Sequence, residues 1–436
     1  MDIKYIVTTK DYQWKEMPIG SEKQVDTEIV IDTNKRYQKH LGFGGAVTDA
    51  ATISFNYLSK EKQEEYLKAY FSKNGLNYNL IRYPLGSCDF STRNYQYLED
   101  EDMSHLSIEY DKDRIALINR IKQYQNDLTI FGSPWSPAKF MKTNNDMNHG
   151  GKLKEEYYYL YAKSLVSAVK LLRNEGVFIN VINTQNEPAA TQVWDSCIYT
   201  ASEEANFLAN YLIKEIKDQS INDLSIGIWD HNRDILKERV DATFSYDLKV
   251  EDVGYVCFHW YSKSDFEQLD YIHDEYPSIH LVMTEGCVEL LLDKDGMNSI
   301  GDFGHAETYI HQIINDLNHY CEGYIDWNLS LDNKGGPNHV GNFCEAPIMI
   351  SPNGEMKYNY SYYAIGHFSK FINVGATRTF SSSNNIGIEV VAYQNPDRST
   401  VIVLYNSDSQ KHIVKISSLD VNIELPEKSI STIISR

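Results

Sequence analysis

The chain is 436 residues long, and its 41 lysine and arginine residues against 61 aspartate and glutamate residues give a formal net charge of −20. A composition of 42% hydrophobic and 23% charged residues is that of a folded globular protein and excludes disordered and fibrous classes. The acidic balance argues against nucleic acid or an anionic membrane surface as a partner, because both would be repelled over most of the protein.

From residue 41 onward, short apolar runs alternate with segments of helical period, which is typical of repeated βα units. We count eight units, which favour a (β/α)8 TIM barrel over an open doubly wound sheet, although periodicity alone does not exclude the open sheet. The predicted strands cover residues 42–46, 78–85, 129–135, 178–184, 225–229, 254–260, 280–284 and 323–329.

Helices are predicted between these strands from apolar stripes and from their start signals. Residues 154–174 carry an apolar stripe that should face the barrel. A second helix should follow Thr200 and Glu203, which have the spacing of a capping box. Residues 362–371 would form the eighth helix of the barrel.

The two ends of the chain lack a strong helical period. Near the C-terminus, alternating patterns indicate strands at residues 386–393, 399–405 and 429–434. Each terminal segment is too short to bury a sheet face alone, so we expect residues 1–40 and 374–436 to pair into one side β-sandwich domain. Residues 41–373 would then form the catalytic (β/α)8 barrel.

The cysteine pattern and the first residues of the chain both indicate a cytoplasmic location. The six cysteines are scattered singly with no Cys-x-x-Cys pair, which gives little support to a zinc site or a redox dithiol. The first residues do not have the pattern of a secretory signal, and no apolar stretch approaches the roughly 18 residues that span a bilayer. We therefore expect a cytoplasmic protein with reduced thiols and no membrane span.

Two glutamates end predicted strands at the face where TIM barrels carry their reactive groups. Glu187 follows the fourth strand within Asn186-Glu187-Pro188, and Glu285 ends the seventh strand. The proline forces Glu187 away from helical geometry and so fixes its direction. Two carboxylates flanking one bond are what glycoside hydrolysis requires, one as proton donor and one as nucleophile or base. The pattern therefore predicts a glycoside hydrolase.

Eight motifs resemble, in chain order, glycoside hydrolase family 30, and within it the glucosylceramidase (glucocerebrosidase-like) branch. The resemblance covers residues 42 to about 372 and, more loosely, the terminal β-domain. The motifs begin at Gly42 (GFGGAVTDA), Arg82 (RYPLGSCDFS), Ser133 (SPWSP), Asn186 (NEP), His259 (HWY), Thr284 (TEGC), Asp326 (DWN) and Gly335 (GGPNHVGNF).

The resemblance implies a role for each matching residue. Glu187 would be the acid/base and Glu285 the nucleophile of a retaining enzyme. The predicted substrate-binding residues are Asp89, Trp135, Asn186, His259, Tyr261, Trp327 and Asn342. Asp89 and Trp135 would bind the outer hydroxyls of the sugar, Asn186 its 2-hydroxyl and Trp327 its ring face, and Asn342 would hydrogen-bond the sugar. Arg82, His259 and Tyr261 would orient the carboxylates.

Structural interpretations of several of these residues stay open at this point. Trp135 and Trp327 would also fit a hydrophobic core, and His259 would fit as a hydrogen-bonded core histidine. Asp89 would also fit as the cap of a turn.

The resemblance implies a retaining β-glycosidase that hydrolyses β-glucosides by double displacement, with no cofactor and no metal. The substrate would be a small carbohydrate, and a soluble β-glucoside or oligosaccharide fits a cytoplasmic protein better than a membrane lipid does. Alternatives within the family are a β-xylosidase, a β-fucosidase and a β-1,6-glucanase. Alternatives from other classes are a non-catalytic carbohydrate-binding barrel and a metal-dependent barrel hydrolase.

The pairing of the two carboxylates also predicts the acidity of Glu187. An ionised Glu285 nearby would raise the pKa of Glu187 and keep its carboxyl group protonated near neutral pH. Loss of that charge in a glycosyl-enzyme ester would lower the same pKa again and turn Glu187 into a base.

Overall fold

A computed structural model of the chain describes residues 2–262, 264–290 and 296–436, so Met1 of the predicted terminal domain lies outside the described residues. Eight parallel strands close into a barrel, and a nine-stranded sheet beside it takes strands from both ends of the chain. The predicted fold class, a (β/α)8 TIM barrel with a side β-domain built from both termini, is confirmed. Within the described residues, no helix is long and apolar enough to cross a membrane.

All eight predicted barrel strands are present, with bounds that differ by a few residues from the predicted ones. They follow three N-terminal strands, β1 (Ile3–Thr8), β2 (Lys15–Glu16) and β3 (Thr27–Lys39). The barrel consists of β4 (Gly42–Ala46), β5 (Leu80–Pro84), β6 (Thr129–Ser133), β7 (Ile179–Asn183), β8 (Ser225–Asn232), β9 (Tyr255–His259), β10 (His280–Glu285) and β12 (Gly323–Asp326). It closes in the order β10-β12-β4-β5-β6-β7-β8-β9.

The inside of the barrel is a packed layer of apolar side chains. Six strands each contribute one buried residue, namely Leu80, Phe131, Val181, Cys257, Val282 and Ile325. Gly44 of β4 lies directly against β5, where an added Cβ would be 1.8 Å from the carbonyl oxygen of Leu80. The apolar runs are therefore readable from the sequence because these parallel strands are buried on both faces.

Among the described residues, ten α-helices accompany the strands, and each buries some of its side chains in the interior. They are α1 (Asp49–Asn56), α2 (Lys60–Phe71), α3 (Lys112–Ile121), α4 (Tyr158–Asn174), α5 (Ala201–Phe207), α6 (Ile213–Asp218), α7 (Leu236–Phe244), α8 (Glu267–Glu275), α9 (Phe303–Asn318) and α10 (Tyr360–Ser369). The predicted capping box before α5 is present, since Thr200 and Glu203 satisfy each other's backbone N–H groups.

The terminal sheet joins the first and last segments of the chain. Its C-terminal members are β17 (Thr377–Ser383), β18 (Ile388–Gln394), β19 (Thr400–Asn406), β20 (His412–Ile416), β21 (Val421–Leu425) and β22 (Ser429–Ser435). The strands run in the order β2-β1-β22-β19-β18-β17-β3-β20-β21. At its contact with the barrel, the buried His367 of α10 lies 2.8 Å from Thr432 and 2.8 Å from Thr8.

Five short strands lie in the segments that follow β10 and β12, at the carboxyl end of the barrel. They are β11 (Val288–Glu289), β13 (Ser330–Asp332), β14 (Cys344–Glu345), β15 (Ile348–Ile350) and β16 (Met356–Tyr358). The antiparallel pairing of β11 with β14 brings the segment after β10 next to the segment that carries Asn342.

Candidate active site

A cavity of about 360 Å³ opens at the carboxyl ends of the barrel strands. Eight of the ten predicted site residues line it, namely Asp89, Trp135, Asn186, Glu187, Tyr261, Glu285, Trp327 and Asn342. The other two, Arg82 and His259, are fully buried behind the cavity wall, where Arg82 contacts Glu285 and His259 contacts Glu187. Two surface clefts are larger, at about 700 and 580 Å³, but in the described chain none of the acidic residues that line them is buried.

Glu187 is held in an unusual backbone conformation in the segment after β7. Its φ of 48° lies in the left-handed region, outside both right-handed helical geometry and the extended geometry that a following proline favours. Its backbone N–H donates to the carbonyl oxygen of Asp230 at 3.0 Å. One carboxylate oxygen accepts a hydrogen bond from Gln192 at 3.1 Å, and the other lies 3.2 Å from Nδ1 of His259.

Glu285 ends β10 and is bound on both carboxylate oxygens. The guanidinium of Arg82 donates to Oε2 in a buried ion pair, and the Tyr261 hydroxyl donates to Oε1 at 2.9 Å. The Glu285 carboxylate is therefore fixed in position before any ligand binds.

Asp230 connects these groups beneath the cavity. Arg82 Nη2 donates to Asp230 at 2.8 Å and to the side-chain oxygen of Asn186 at 2.7 Å. Asp230 also accepts hydrogen bonds from Ser133 at 2.5 Å and Thr284 at 2.6 Å. The side chains of Arg82 and Asp230 are both completely buried.

His259 completes this network because its two ring nitrogens face different carboxylates. Nε2 lies 3.2 Å from Asp230, and Nδ1 lies 3.2 Å from Glu187. His259 is thus a buried, hydrogen-bonded histidine, as its structural interpretation expected, and it also contacts one of the two predicted glutamates.

Trp135 and Trp327 form an aromatic wall. Their rings stack with centroids 5.3 Å apart at an angle of 18°, and the Arg82 guanidinium lies 4.7 Å from the Trp135 ring. The two indoles are 1% and 2% exposed, so they belong to the packed interior as well as to the cavity lining.

Asp89 and Asn342 meet across the cavity although they are 253 positions apart in the chain. The Asn342 amide donates to the Asp89 carboxylate at 2.9 Å. Burial, with a further contribution from the charge of Glu285, raises the pKa of Asp89 well above its usual range. Both residues offer polar atoms to a ligand in the cavity.

The acidity of the two glutamates differs from the sequence-based expectation. Burial raises the pKa of Glu187. The contact with His259 and the charges of His231 and His259 lower the pKa by more than burial raises it, so the net pKa lies below its usual range. Burial raises the pKa of Glu285 despite the opposing charges of His259 and Arg82. The expected high pKa of Glu187 is therefore wrong for the free protein, because the prediction omitted both histidines.

The proton of this network lies on His259. Burial lowers the pKa of His259, but the negative charge of Glu285 and the contacts with Asp230 and Glu187 outweigh that effect and raise it to about 9. At neutral pH, His259 is consequently a cation between two carboxylates.

Sequence reasoning missed several residues of the site. Asp230 ends the apolar run of β8 and so carries the same signal that identified Glu187 and Glu285. Other missed residues are further lining residues of the cavity, namely Gln192, Trp194, His231, Asn232, Glu289 and Cys344. Within the described residues, Glu187, His231 and His259 also have ligand atoms within 4.8 Å of one another and could hold a metal ion.

Comparisons with known proteins agree with this geometry. Residues 40–372 match the Glycosyl hydrolase family 30 TIM-barrel domain, and residues 375–433 match the family 30 beta sandwich domain. The lysosomal acid glucosylceramidase of Mus musculus is 31% identical over 90% of this chain and 80% of its own. The endo-1,6-beta-D-glucanase BGN16.3 of Trichoderma harzianum is 28% identical over 92% and 85% of the two chains.

A solved structure shares the whole fold. The crystal structure of SrfJ from Salmonella typhimurium covers 100% of both chains with a TM-score of 0.94 and 34% sequence identity. The barrel and the terminal sheet are therefore shared over their full length.

Removal of the Asp230 charge is expected to destabilise the fold. Asp230→Asn keeps the side-chain shape but removes the negative charge opposite Arg82, and neutralising one partner of a buried pair costs about 3–5 kcal/mol. Urea denaturation measures this loss of unfolding free energy. The matched control is Asp223→Asn, which removes a pair with Arg173 in which the Asp223 side chain is 74% exposed. We expect the control to lose less than about 1 kcal/mol, and equal losses would contradict the interpretation.

Proposed function

The chain belongs to glycosyl hydrolase family 30 and is a retaining β-glycosidase, and we propose that it hydrolyses β-glucosides with Glu285 as nucleophile and Glu187 as acid/base. The observation that carries these roles is that the two buried glutamates face one cavity, Glu187 from the segment after β7 and Glu285 from the end of β10. Retaining enzymes hold their two carboxyl groups about 5 to 5.5 Å apart, and we propose such a separation for Glu187 and Glu285.

Glu285 attacks the anomeric carbon in the first step. Its contact with Arg82 favours the ionised carboxylate, and the Tyr261 hydroxyl fixes which oxygen faces the substrate. The attack forms a glycosyl ester on Glu285 while the bond to the leaving oxygen breaks.

Glu187 supplies the proton to that leaving oxygen. Since the free protein holds the proton on His259, we propose that it crosses the 3.2 Å contact from Nδ1 of His259 to Glu187 when the substrate excludes water from the cavity. In the second step, Glu187 takes a proton from water, which attacks the ester and releases Glu285.

The remaining predicted residues hold the sugar. The Asn186 side-chain oxygen accepts from Arg82, which turns the amide NH2 group toward the cavity and the 2-hydroxyl. Asp89 and Asn342 would bind outer hydroxyls with Trp135, and Trp327 would contact the ring face. A neutral glucoside suits these groups, because they offer uncharged donors and carboxylate acceptors to hydroxyl groups.

We also propose that the enzyme acts in the cytoplasm on soluble β-glucosides. All six cysteines lie in the described part of the chain as buried free thiols, which fits a reducing compartment. Fractionation of cells that produce the protein tests this location, and recovery from the medium would contradict it.

A panel of aryl β-glycosides tests the substrate. We expect the highest kcat/KM for the glucoside, with lower values for the xyloside and the fucoside, because both of these lack the 6-hydroxyl. A higher kcat/KM for the xyloside or the fucoside would instead identify a β-xylosidase or a β-fucosidase. Faster release of glucose from a β-1,6-linked glucan would favour the β-1,6-glucanase. No hydrolysis of any of these substrates would favour a non-catalytic carbohydrate-binding protein.

Asp89→Asn should lower kcat/KM for the glucoside by about 2- to 12-fold, because burial disfavours the ionised form of Asp89 and a hydrogen bond between uncharged groups contributes about 0.5–1.5 kcal/mol. Asp113→Asn, at an exposed position of α3, is the control and should leave kcat/KM unchanged. An unchanged rate in Asp89→Asn would show that Asp89 does not bind the sugar.

Azide rescue tests the two catalytic roles. Glu187→Ala should still form the glycosyl ester from an aryl glucoside with a good leaving group, because such a group needs no proton. External azide should then accelerate turnover and give the β-glucosyl azide, since a small anion requires no general base. Glu285→Ala should give no β-configured product under the same conditions. If azide instead rescues Glu285→Ala and gives the β-azide, the two roles are reversed. If azide does not rescue Glu187→Ala, Glu187 is not the acid/base.

A further inference from the structure

We propose that Glu187, His231 and His259 form a binding site for a divalent transition-metal ion such as Zn²⁺, and that an ion bound there reversibly inhibits hydrolysis. The metal site rests on the geometry alone, whereas the inhibition rests on the proposed role of Glu187. The ion is an inhibitor in this proposal and takes no part in the reaction.

The distances among the three side chains suit a tetrahedral ion. Oε1 of Glu187 lies 3.2 Å from Nδ1 of His259 and 3.6 Å from Nδ1 of His231. Zinc bonds of about 2.0–2.1 Å in a tetrahedron place neighbouring ligand atoms about 3.3 Å apart. All three ligand atoms lie within 4.8 Å of one another, so an ion would need only a small closing movement.

His259 is oriented as a metal ligand, and its Nδ1 proton would leave to solvent when an ion binds, because an imidazole ligand must be neutral. Its Nε2 lies 3.2 Å from Asp230, so Nδ1 is directed toward Glu187. A carboxylate behind the second ring nitrogen is the usual support of a zinc-binding histidine, because it fixes the ring and strengthens the ligand. Thr284 and Arg82 in turn hold Asp230.

His231 is the group that the proposed hydrolysis does not use. Its Nδ1 is buried and has no hydrogen-bond partner in the described chain, although the ring borders the cavity. The ring packs against Trp229 at a centroid distance of 5.1 Å, which limits its rotation. A buried ring nitrogen without a partner, facing the same carboxylate oxygen as a second histidine, is an unfilled ligand position.

Charge and ligand type select the ion. Glu187, Asp230 and Glu285 face Arg82 and His259 in this region. When His259 loses its proton to make room for an ion, these three carboxylates face the single charge of Arg82, so a divalent cation gains favourable interactions there. Two imidazoles with one carboxylate favour Zn²⁺, Co²⁺ or Cu²⁺ over Mg²⁺ and Ca²⁺, which prefer oxygen ligands. The fourth position faces the cavity, where an ion would occupy Glu187 and the place of the leaving oxygen.

Co²⁺ absorption tests the site without any activity measurement. We expect the full-length protein to bind one Co²⁺ with the intense visible absorption of tetrahedral coordination, and Zn²⁺ to displace it. His231→Gln should lose the absorption. The matched control is His149→Gln, which removes a surface histidine that is 61% exposed and paired with Asp146, and it should keep the absorption.

Zn²⁺ inhibition of aryl β-glucoside hydrolysis, with each variant normalised to its own metal-free rate, tests the consequence. His231→Gln should raise the Zn²⁺ concentration for half-inhibition at least tenfold, and a chelator should restore the rate. Equal inhibition of wild type and His231→Gln, or absorption that persists without His231, would overturn the proposal. A protein that binds Co²⁺ through His231 but hydrolyses no glycoside would keep the site and refute the proposed function.

Discussion

The site depends on the interactions of the buried Arg82 guanidinium with its carboxylate and amide partners. Desolvation of a charge costs several kcal/mol unless partners compensate it, and here Asp230 and Glu285 supply negative charge while Asn186 supplies a neutral oxygen. These partners come from the ends of different barrel strands. The closed barrel is therefore required to assemble the site, since no single βα unit contains more than a part of it.

Asp230 extends this network from Glu285 to Glu187. It contacts Arg82, which binds Glu285, and it contacts His259, which binds Glu187. The charges of the two glutamates are thus coupled through one buried carboxylate, which explains why repulsion between two isolated glutamates does not describe their acidity. We propose that the proton for the first step is stored on His259, whose Nδ1 lies 3.2 Å from Glu187.

The fold was predictable because each parallel barrel strand is buried on both faces and therefore forms an apolar run. Most of the site was predictable because Glu187 and Glu285 end such runs, and because the family resemblance identified distant residues such as Asn342. Its hydrogen bond to Asp89 depends on loop packing that no local pattern encodes. Asp230 was overlooked although it ends a predicted strand, and His231 lies next to it without any local signal. The domain boundaries and the residue roles stay predictions.

Trapping of the glycosyl ester tests the central claim most directly. A 2-deoxy-2-fluoro-β-glucosyl fluoride slows both steps and has a leaving group that needs no proton, so the intermediate should accumulate. Mass spectrometry of the digested protein should then find one fluoroglucosyl group, attached to Glu285. A label on Glu187 or another residue, or inactivation without any covalent label, would contradict the assignment of Glu285 as the nucleophile held by Arg82.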